Sequence, residues 1–238
     1  MANPNPYPYF RPRPVDAAAA DAGLRRYLAQ VYNYMAGGLV LTGITAYVGA
    51  ASGFYTSLVG TPWYWVVLFA PLALVFLLGY RIERMSVATA QLVYWGYAAL
   101  FGLSLSGIFF IYTRESIGSV FFVTGAMFAA TSVYAYTTRT DLSRFSSFLF
   151  MGLIGVIIAA VVNIFLHSTA LQMTISVMGV IVFTGLAAYD TQRIRAMYVY
   201  GEDGAMTTKK SIYGALALYL DFVNLFISLL QLTGDRRR

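Results

Sequence analysis

The chain contains no cysteine and only one histidine, His167. The lack of cysteine excludes disulfides, thiol catalysis and thiolate metal sites, and one histidine is too few for a multi-histidine metal site. Charge is also scarce, since 11% of the 238 residues are charged, whereas soluble domains carry about 25%. With 59% hydrophobic residues and a mean hydropathy of +0.66, the composition instead indicates a polytopic membrane protein.

Seven apolar segments account for most of the chain. They lie at roughly 29–52, 63–80, 88–112, 117–138, 146–166, 171–192 and 212–233. Each is close to the length of about 20 residues that a helix needs to cross a bilayer, and the short gaps leave no room for an inserted soluble domain. The sequence therefore predicts an all-α membrane protein, with a seven-helix transmembrane domain at 27–233. A disordered Pro-rich tail is expected at 1–26 and a basic tail at 234–238.

Positive charge is distributed unevenly between the loops. If the first helix starts inside, 12 of the 16 Lys and Arg residues lie in the N-terminal region and in the second, fourth and sixth loops. This bias predicts a cytoplasmic N-terminus, and it explains the net charge of +6 without a nucleic-acid partner. The three arginines at 236–238 lie on the outer side of the membrane if all seven segments cross it. They lie on the cytoplasmic side if the last segment turns back. The sequence leaves both arrangements open.

Two aspartates, Asp190 and Asp221, lie within the last two apolar segments. A carboxylate inside a bilayer is expensive, so it normally faces a water-filled or protein-lined interior and marks an ion or proton path. The two segments form a hairpin around the loop 198–211, and each aspartate lies roughly 12–15 Å from that loop at 1.5 Å per residue. We therefore expect the two side chains to lie at similar depth and to face one another.

Two carboxyl groups in contact cannot both ionise cheaply, so the pair is expected to titrate as one unit, with a protonation step near physiological pH. When both are ionised, Asp190 and Asp221 offer oxygen ligands that suit Ca²⁺, although two carboxylates make only part of a site. Asn224 lies on the same helix face as Asp221. A structural alternative is that Asp190 pairs with Arg193 or Arg195, while Asp221 is a buried hydrogen-bonding residue.

Two arginines, Arg81 and Arg84, lie at the cytoplasmic end of the second segment. Their positive charge can simply anchor the helix. Alternatively, one of them reaches inward to pair with an ionised aspartate and holds the path shut, and protonation of that aspartate releases this latch. Arg81 is nearer the apolar run and is the better candidate.

The remaining polar residues do not indicate an enzyme. Asn163 is expected to hydrogen-bond between helices, with a lumen-lining role second, and His167 to lie at the interface. The stretch 102–107 is superficially similar to an intramembrane serine protease, but no histidine is placed to serve it. We find no nucleophile–base pair, phosphate-binding loop or metal constellation.

The stretches around the two aspartates resemble the Bax-inhibitor-one family, the transmembrane Bax inhibitor motif proteins, which has bacterial members. The resemblance is carried by 183–194 and 215–226, and 141–143 and 162–165 also fit. It covers all seven segments, although only the last two contain specific motifs. It implies a bundle in which the last helix is surrounded by the other six.

The resemblance also implies a function. It implies a pH-sensitive calcium leak in the bacterial inner membrane, in which the family's aspartate pair falls on Asp190 and Asp221, and its latch arginine on Arg81 or Arg84. Ca²⁺ and protons would be the transported or transiently bound ions, with no resident cofactor. Two alternatives stay open. One is a proton-coupled cation exchanger that uses the same carboxylates. The other is an interaction protein that restrains a membrane-bound protease, as some bacterial relatives are thought to do, with the tail 1–14 as its contact element.

Overall fold

The computed structural model describes residues 17–237, and seven long helices dominate this range. They are α1 (Ala17–Ala51), α2 (Pro62–Arg81), α3 (Val87–Leu105), α4 (Arg114–Thr137), α5 (Ser146–Leu166), α6 (Thr169–Ala196) and α7 (Gly204–Thr233). Short helical turns at Phe54–Leu58, Ile82–Arg84, Ile108–Ile111 and Leu142–Phe145 complete the described elements. All seven long helices are long and apolar enough to cross a membrane, which confirms the predicted all-α bundle.

The first helix is longer than its apolar segment. α1 begins at Ala17, so the last ten residues of the tail predicted at 1–26 are helical. Four consecutive alanines, 17–20, explain the difference, because alanine has the highest helix propensity. At 1.5 Å per residue the 35 residues of α1 extend over about 52 Å, beyond the bilayer core of about 30 Å. Residues 1–16 of the predicted tail lie outside the described residues.

The last helix forms the centre of the bundle. In α7, 67% of the most apolar stretch is buried, against 11% in the span that contains α5. α7 packs extensively against α6, α1 and α4 and makes smaller interfaces with α3 and α2. α5 packs mainly on α6, at the periphery. Buried apolar residues lie all around α7, as expected for a core helix. The predicted central position is confirmed.

The C-terminal residues show at which end of the bundle the chain emerges. The backbone N–H of Thr113 donates to the carbonyl oxygen of Asp235 (3.0 Å), and that of Arg237 donates to Ile111 (2.9 Å). These bonds tie the C-terminal segment to the loop between α3 and α4. We call this end of the bundle the outer end, and the end with the α2–α3, α4–α5 and α6–α7 loops the inner end. α7 therefore crosses completely and does not re-enter.

Candidate ion and proton site

The two predicted aspartates meet between α6 and α7. The carboxyl groups of Asp190 and Asp221 lie within side-chain hydrogen-bonding reach of one another. The Asp221 residue is 5% exposed and the Asp190 side chain 15%. The two carboxyl groups therefore meet in a nearly closed site.

The close approach of α6 and α7 depends on small residues on their shared face. A Cβ atom on Gly179 of α6 would meet the side chain of Ser228 on α7, and one on Gly214 of α7 would meet that of Ile194 on α6. Small residues let transmembrane helices approach closely. Between these two contacts the helices are near enough for the short aspartate side chains to meet.

The two aspartates lie at different distances from the inner ends of their helices. α7 begins at Gly204, eight residues before the predicted 212, because Lys209 and Lys210 are too polar for an apolar segment yet favour helix. Asp190 lies six residues before Ala196, the end of α6, which corresponds to about 9 Å. Asp221 lies 17 residues after Gly204, about 26 Å along α7, so the first turns of α7 extend beyond the pair at the inner end.

One oxygen of the pair has no partner. Asp221 Oδ2 is buried, and no N–H or hydroxyl group of the described residues donates to it. An unsatisfied buried acceptor costs about 1–3 kcal/mol, so the carboxylate oxygen is suited to a water molecule or a cation. Within residues 17–237 no cluster of three or more acidic or histidine side chains forms.

The arginine beside the pair is Arg193. Its Nη1 lies 3.9 Å from Asp190 Oδ1, one helical turn away, and its guanidinium lies 5.9 Å from the ring centroid of Tyr213 on α7. The latch candidates Arg81 and Arg84 are exposed, and neither forms an ion pair within the described part of the chain. The structure thus brings the aspartates together with Arg193 and does not bring them together with Arg81 or Arg84.

The supporting polar residues are not bonded to the aspartates. Asn224 donates from its side chain to the carbonyl of Leu220 on its own helix (2.8 Å). Asn163 donates to Gln172 of α6 (3.0 Å) and accepts from the backbone of Ser168 (3.0 Å). Asn163 therefore joins α5 to α6 at the outer end, in the helix–helix role predicted first.

A sequence model of the family described as "Inhibitor of apoptosis-promoting Bax1" matches residues 24–238. The chain belongs to the Bax-inhibitor-one family. It is 45% identical over 230 residues to inner membrane protein YbhL of Escherichia coli strain K12, covering 95% of this chain and 98% of that protein. It is also 46% identical over 220 residues to protein RP147 of Rickettsia prowazekii, covering 91% and 92%. The family resemblance is confirmed.

In this Bax-inhibitor-one protein a cavity of about 390 Å³ opens at the inner end beside Arg193. Its wall brings together the end of α2, the end of α6 and the start of α7, through Gly79, Tyr80, Ile82, Glu83, Arg193, Met197, Met206, Lys209, Lys210 and Tyr213. The Lys209 ammonium donates to the carbonyl of Glu83 (2.8 Å). The lysines, which the sequence indicates only as topology signals, thus line this cavity, which we call the vestibule. Arg193 lies in its wall, whereas Asp190 and Asp221 do not.

Proposed function

We propose that this protein is a pH-sensitive cation leak, with Ca²⁺ as the transported ion and the Asp190–Asp221 pair as its proton-controlled site. The observation that carries the proposal is a buried pair of closely approaching carboxyl groups, one oxygen of which receives no donor from the protein, at the centre of a transmembrane bundle. Intramembrane carboxylates of this kind typically mark ion and proton paths. The name of YbhL and the loop charges favour the inner membrane and a cytoplasmic N-terminus.

The inner half of the path would run from the vestibule to the aspartates past Arg193. With one shared proton, the pair carries one negative charge that the Arg193 guanidinium balances. A second proton removes that charge, and with it the attraction that holds Arg193 against the opening. Cation entry should therefore increase as the pH falls. Arg81 remains an alternative latch, since its neighbours Tyr80 and Ile82 line the same vestibule.

The outer half of the path would follow the seam between α6 and α7. Beyond Asp221, α7 carries a polar stripe at helical spacing that reaches its outer end: Asn224, Ser228 and Gln231. The hydroxyl of Ser176 on α6 donates to Gln231 (3.1 Å), and the Gln172 amide donates to the same oxygen (2.6 Å). This seam supplies hydrogen-bonding groups along the span from the pair to the outer end.

The test is uptake of radioactive Ca²⁺ into proteoliposomes at pH 6, 7 and 8. Wild-type uptake should increase toward pH 6, and Asp190→Asn and Asp221→Asn should each lose that pH dependence. Glu115→Gln, an exposed acid at the outer end, is the matched control and should behave as the wild type. Unchanged pH dependence in both aspartate variants would contradict the mechanism.

The latch is tested separately with single arginine variants. If Arg193 holds the site shut, Arg193→Gln should raise uptake at pH 8 toward the pH 6 level, whereas Arg81→Gln should leave it low. The reverse result would assign the latch to Arg81.

Proton-coupled exchange is a second candidate, because a shared proton is also what an exchanger needs. A pH-sensitive dye enclosed in the liposomes distinguishes the two functions. An exchanger releases a fixed number of protons for each Ca²⁺ taken up, whereas a leak shows no fixed ratio. The protease-restraining alternative depends on residues 1–14, which lie outside the described residues, and it stays a prediction.

A further inference from the structure

A lateral groove penetrates the outer half of the bundle, and neither aspartate lies in its wall. It has a volume of about 390 Å³, within the range of about 300–1,000 Å³ that is typical of ligand sites, and it lies between α1, α3, α4 and α7. Its wall is almost wholly apolar and includes Ile44, Phe121 and Phe226. Because α1 and α4 do not pack extensively on one another, the groove opens between them toward the lipid.

Two arginines lie at the outer end of this groove. Phe109 lines both the groove and a smaller adjoining cavity of about 70 Å³, whose wall includes Tyr47, Arg114 and Arg237. The Arg114 guanidinium lies 5.5 Å from the centroid of the Tyr47 ring. Arg237 is held beside it by the backbone bond to Ile111. The adjoining cavity has no acidic side chain in its wall.

Neither arginine is neutralised within the described part of the chain, whose ion pairs are Arg193–Asp190 and Lys210–Glu202. Arginine at a membrane surface binds phosphate through its planar fork of donors. The groove, by contrast, faces hydrocarbon and presents only carbon surface over most of its length. The combination requires a ligand with an anionic head and an apolar chain.

We infer that this groove is a binding site for an anionic phospholipid. The phosphate lies against Arg114 and Arg237, and one acyl chain enters between α1 and α4 to contact α7 near Phe222 and Phe226. Since the groove contains no proton-sharing group, the inference is independent of the ion path. Bilayer lipid is the apolar ligand present at this depth, and the uncompensated positive charge selects its anionic members.

Native mass spectrometry of the purified full chain tests the inference, with phosphatidylglycerol, phosphatidylcholine of the same chains, and soluble glycerol 3-phosphate as probes. Phosphatidylglycerol should bind in preference to phosphatidylcholine. Replacing either Arg114 or Arg237 with glutamine should weaken phosphatidylglycerol binding by about fivefold. The double variant Arg114→Gln/Arg237→Gln should therefore lose the preference. Arg144→Gln, an exposed arginine in the α4–α5 loop, is the matched control and should retain it.

The groove itself is tested by filling it. Gly118 lies in its wall, and a Cβ atom there would meet no other atom within 4 Å. The Gly118→Leu variant should thus fold, as checked by circular dichroism, but it should bind both phospholipids more weakly and to the same extent. Gly155→Leu, on α5 and equally unobstructed, is the control. Phosphatidylglycerol with a photoreactive acyl chain should label the peptides of α4 and α7 that contain Phe121 and Phe226.

Three outcomes would overturn the inference. The first is an unchanged phosphatidylglycerol preference in the double arginine variant. The second is efficient displacement of the lipid by glycerol 3-phosphate, which would indicate a simple anion site. The third is photolabelling confined to helices that do not line the groove.

Discussion

Replacing Gly179 with alanine tests the α6–α7 interface that positions the two aspartates. The added Cβ would lie 3.2 Å from Ser228 Cβ and still closer to its hydroxyl. Because Ser228 is on the central helix and is 8% exposed, it has little room to move. Overpacking of this kind costs about 1–3 kcal/mol. We therefore expect Gly179→Ala to lower the free energy of unfolding by that amount.

A second substitution should restore most of this loss. The Ser228 hydroxyl donates within its own helix, to the carbonyl of Asn224 (2.8 Å), so Ser228→Ala alone should cost less than about 1 kcal/mol. In the double variant Gly179→Ala/Ser228→Ala the closest clash is removed. The double variant should therefore lose less unfolding free energy than the two single variants lose in sum, by about 1 kcal/mol or more.

The assay is unfolding in mixed micelles by increasing sodium dodecyl sulfate, followed by circular dichroism. Gly155→Ala is the control, since its Cβ would meet no atom within 4 Å. It should be neutral or stabilising by up to about 1 kcal/mol, because alanine favours helix over glycine. Equal effects of Gly179→Ala and Gly155→Ala, or strictly additive effects at Gly179 and Ser228, would refute the reasoning.

Two further predictions concern other parts of the molecule. Tyr219 of α7 donates to the Thr42 hydroxyl (2.6 Å), which in turn donates to the carbonyl of Ala98 (2.8 Å). A double-mutant cycle of Thr42→Val and Tyr219→Phe, followed by the same unfolding assay, should give a coupling near 0.6 kcal/mol, and zero coupling would contradict this bond. In the α4–α5 loop, the side-chain and backbone hydrogen bonds from Ser143 hold the pKa of Asp141 below 3.8. Because the pKa is lower in the folded state, ionised Asp141 stabilises the fold at pH values above its unfolded-state pKa. This contribution is lost as the pH falls through the folded-state pKa. Carbon-13 titration should show a pKa below 3.8 that rises in Ser143→Ala, and a normal pKa in the wild type would be the contrary result.

The sequence predicts the features that depend on local apolarity. Seven apolar runs give seven helices, and the hairpin of the last two brings Asp190 and Asp221 to one depth. Helix ends are less well predicted where helix propensity and hydropathy disagree. This disagreement explains the early starts of α1 at Ala17 and of α7 at Gly204.

Features that depend on long-range geometry could not be predicted in the same way. Arg193 follows Asp190 by three residues on α6, so their pairing is local and is one of the alternatives that the sequence offers. The separation of Arg81 from the pair depends instead on how α2 packs in the bundle. The bonds of Asp235 and Arg237 with the α3–α4 loop join residues more than a hundred positions apart. No local pattern in the sequence indicates such a pairing.

These outer-end bonds also restrict how the central helix can move. α7 contains 30 residues and is about 45 Å long, and its far terminus is fastened to the α3–α4 loop while its other terminus is joined to α6 by a short loop. Any tilt of α7 is therefore a rotation about a pivot at the outer end. A tilt of about 5° would displace the inner terminus by about 4 Å over that length. Asp221 lies between this outer attachment and the inner terminus, so a tilt of the central helix about its outer end would displace the aspartate less than the inner terminus.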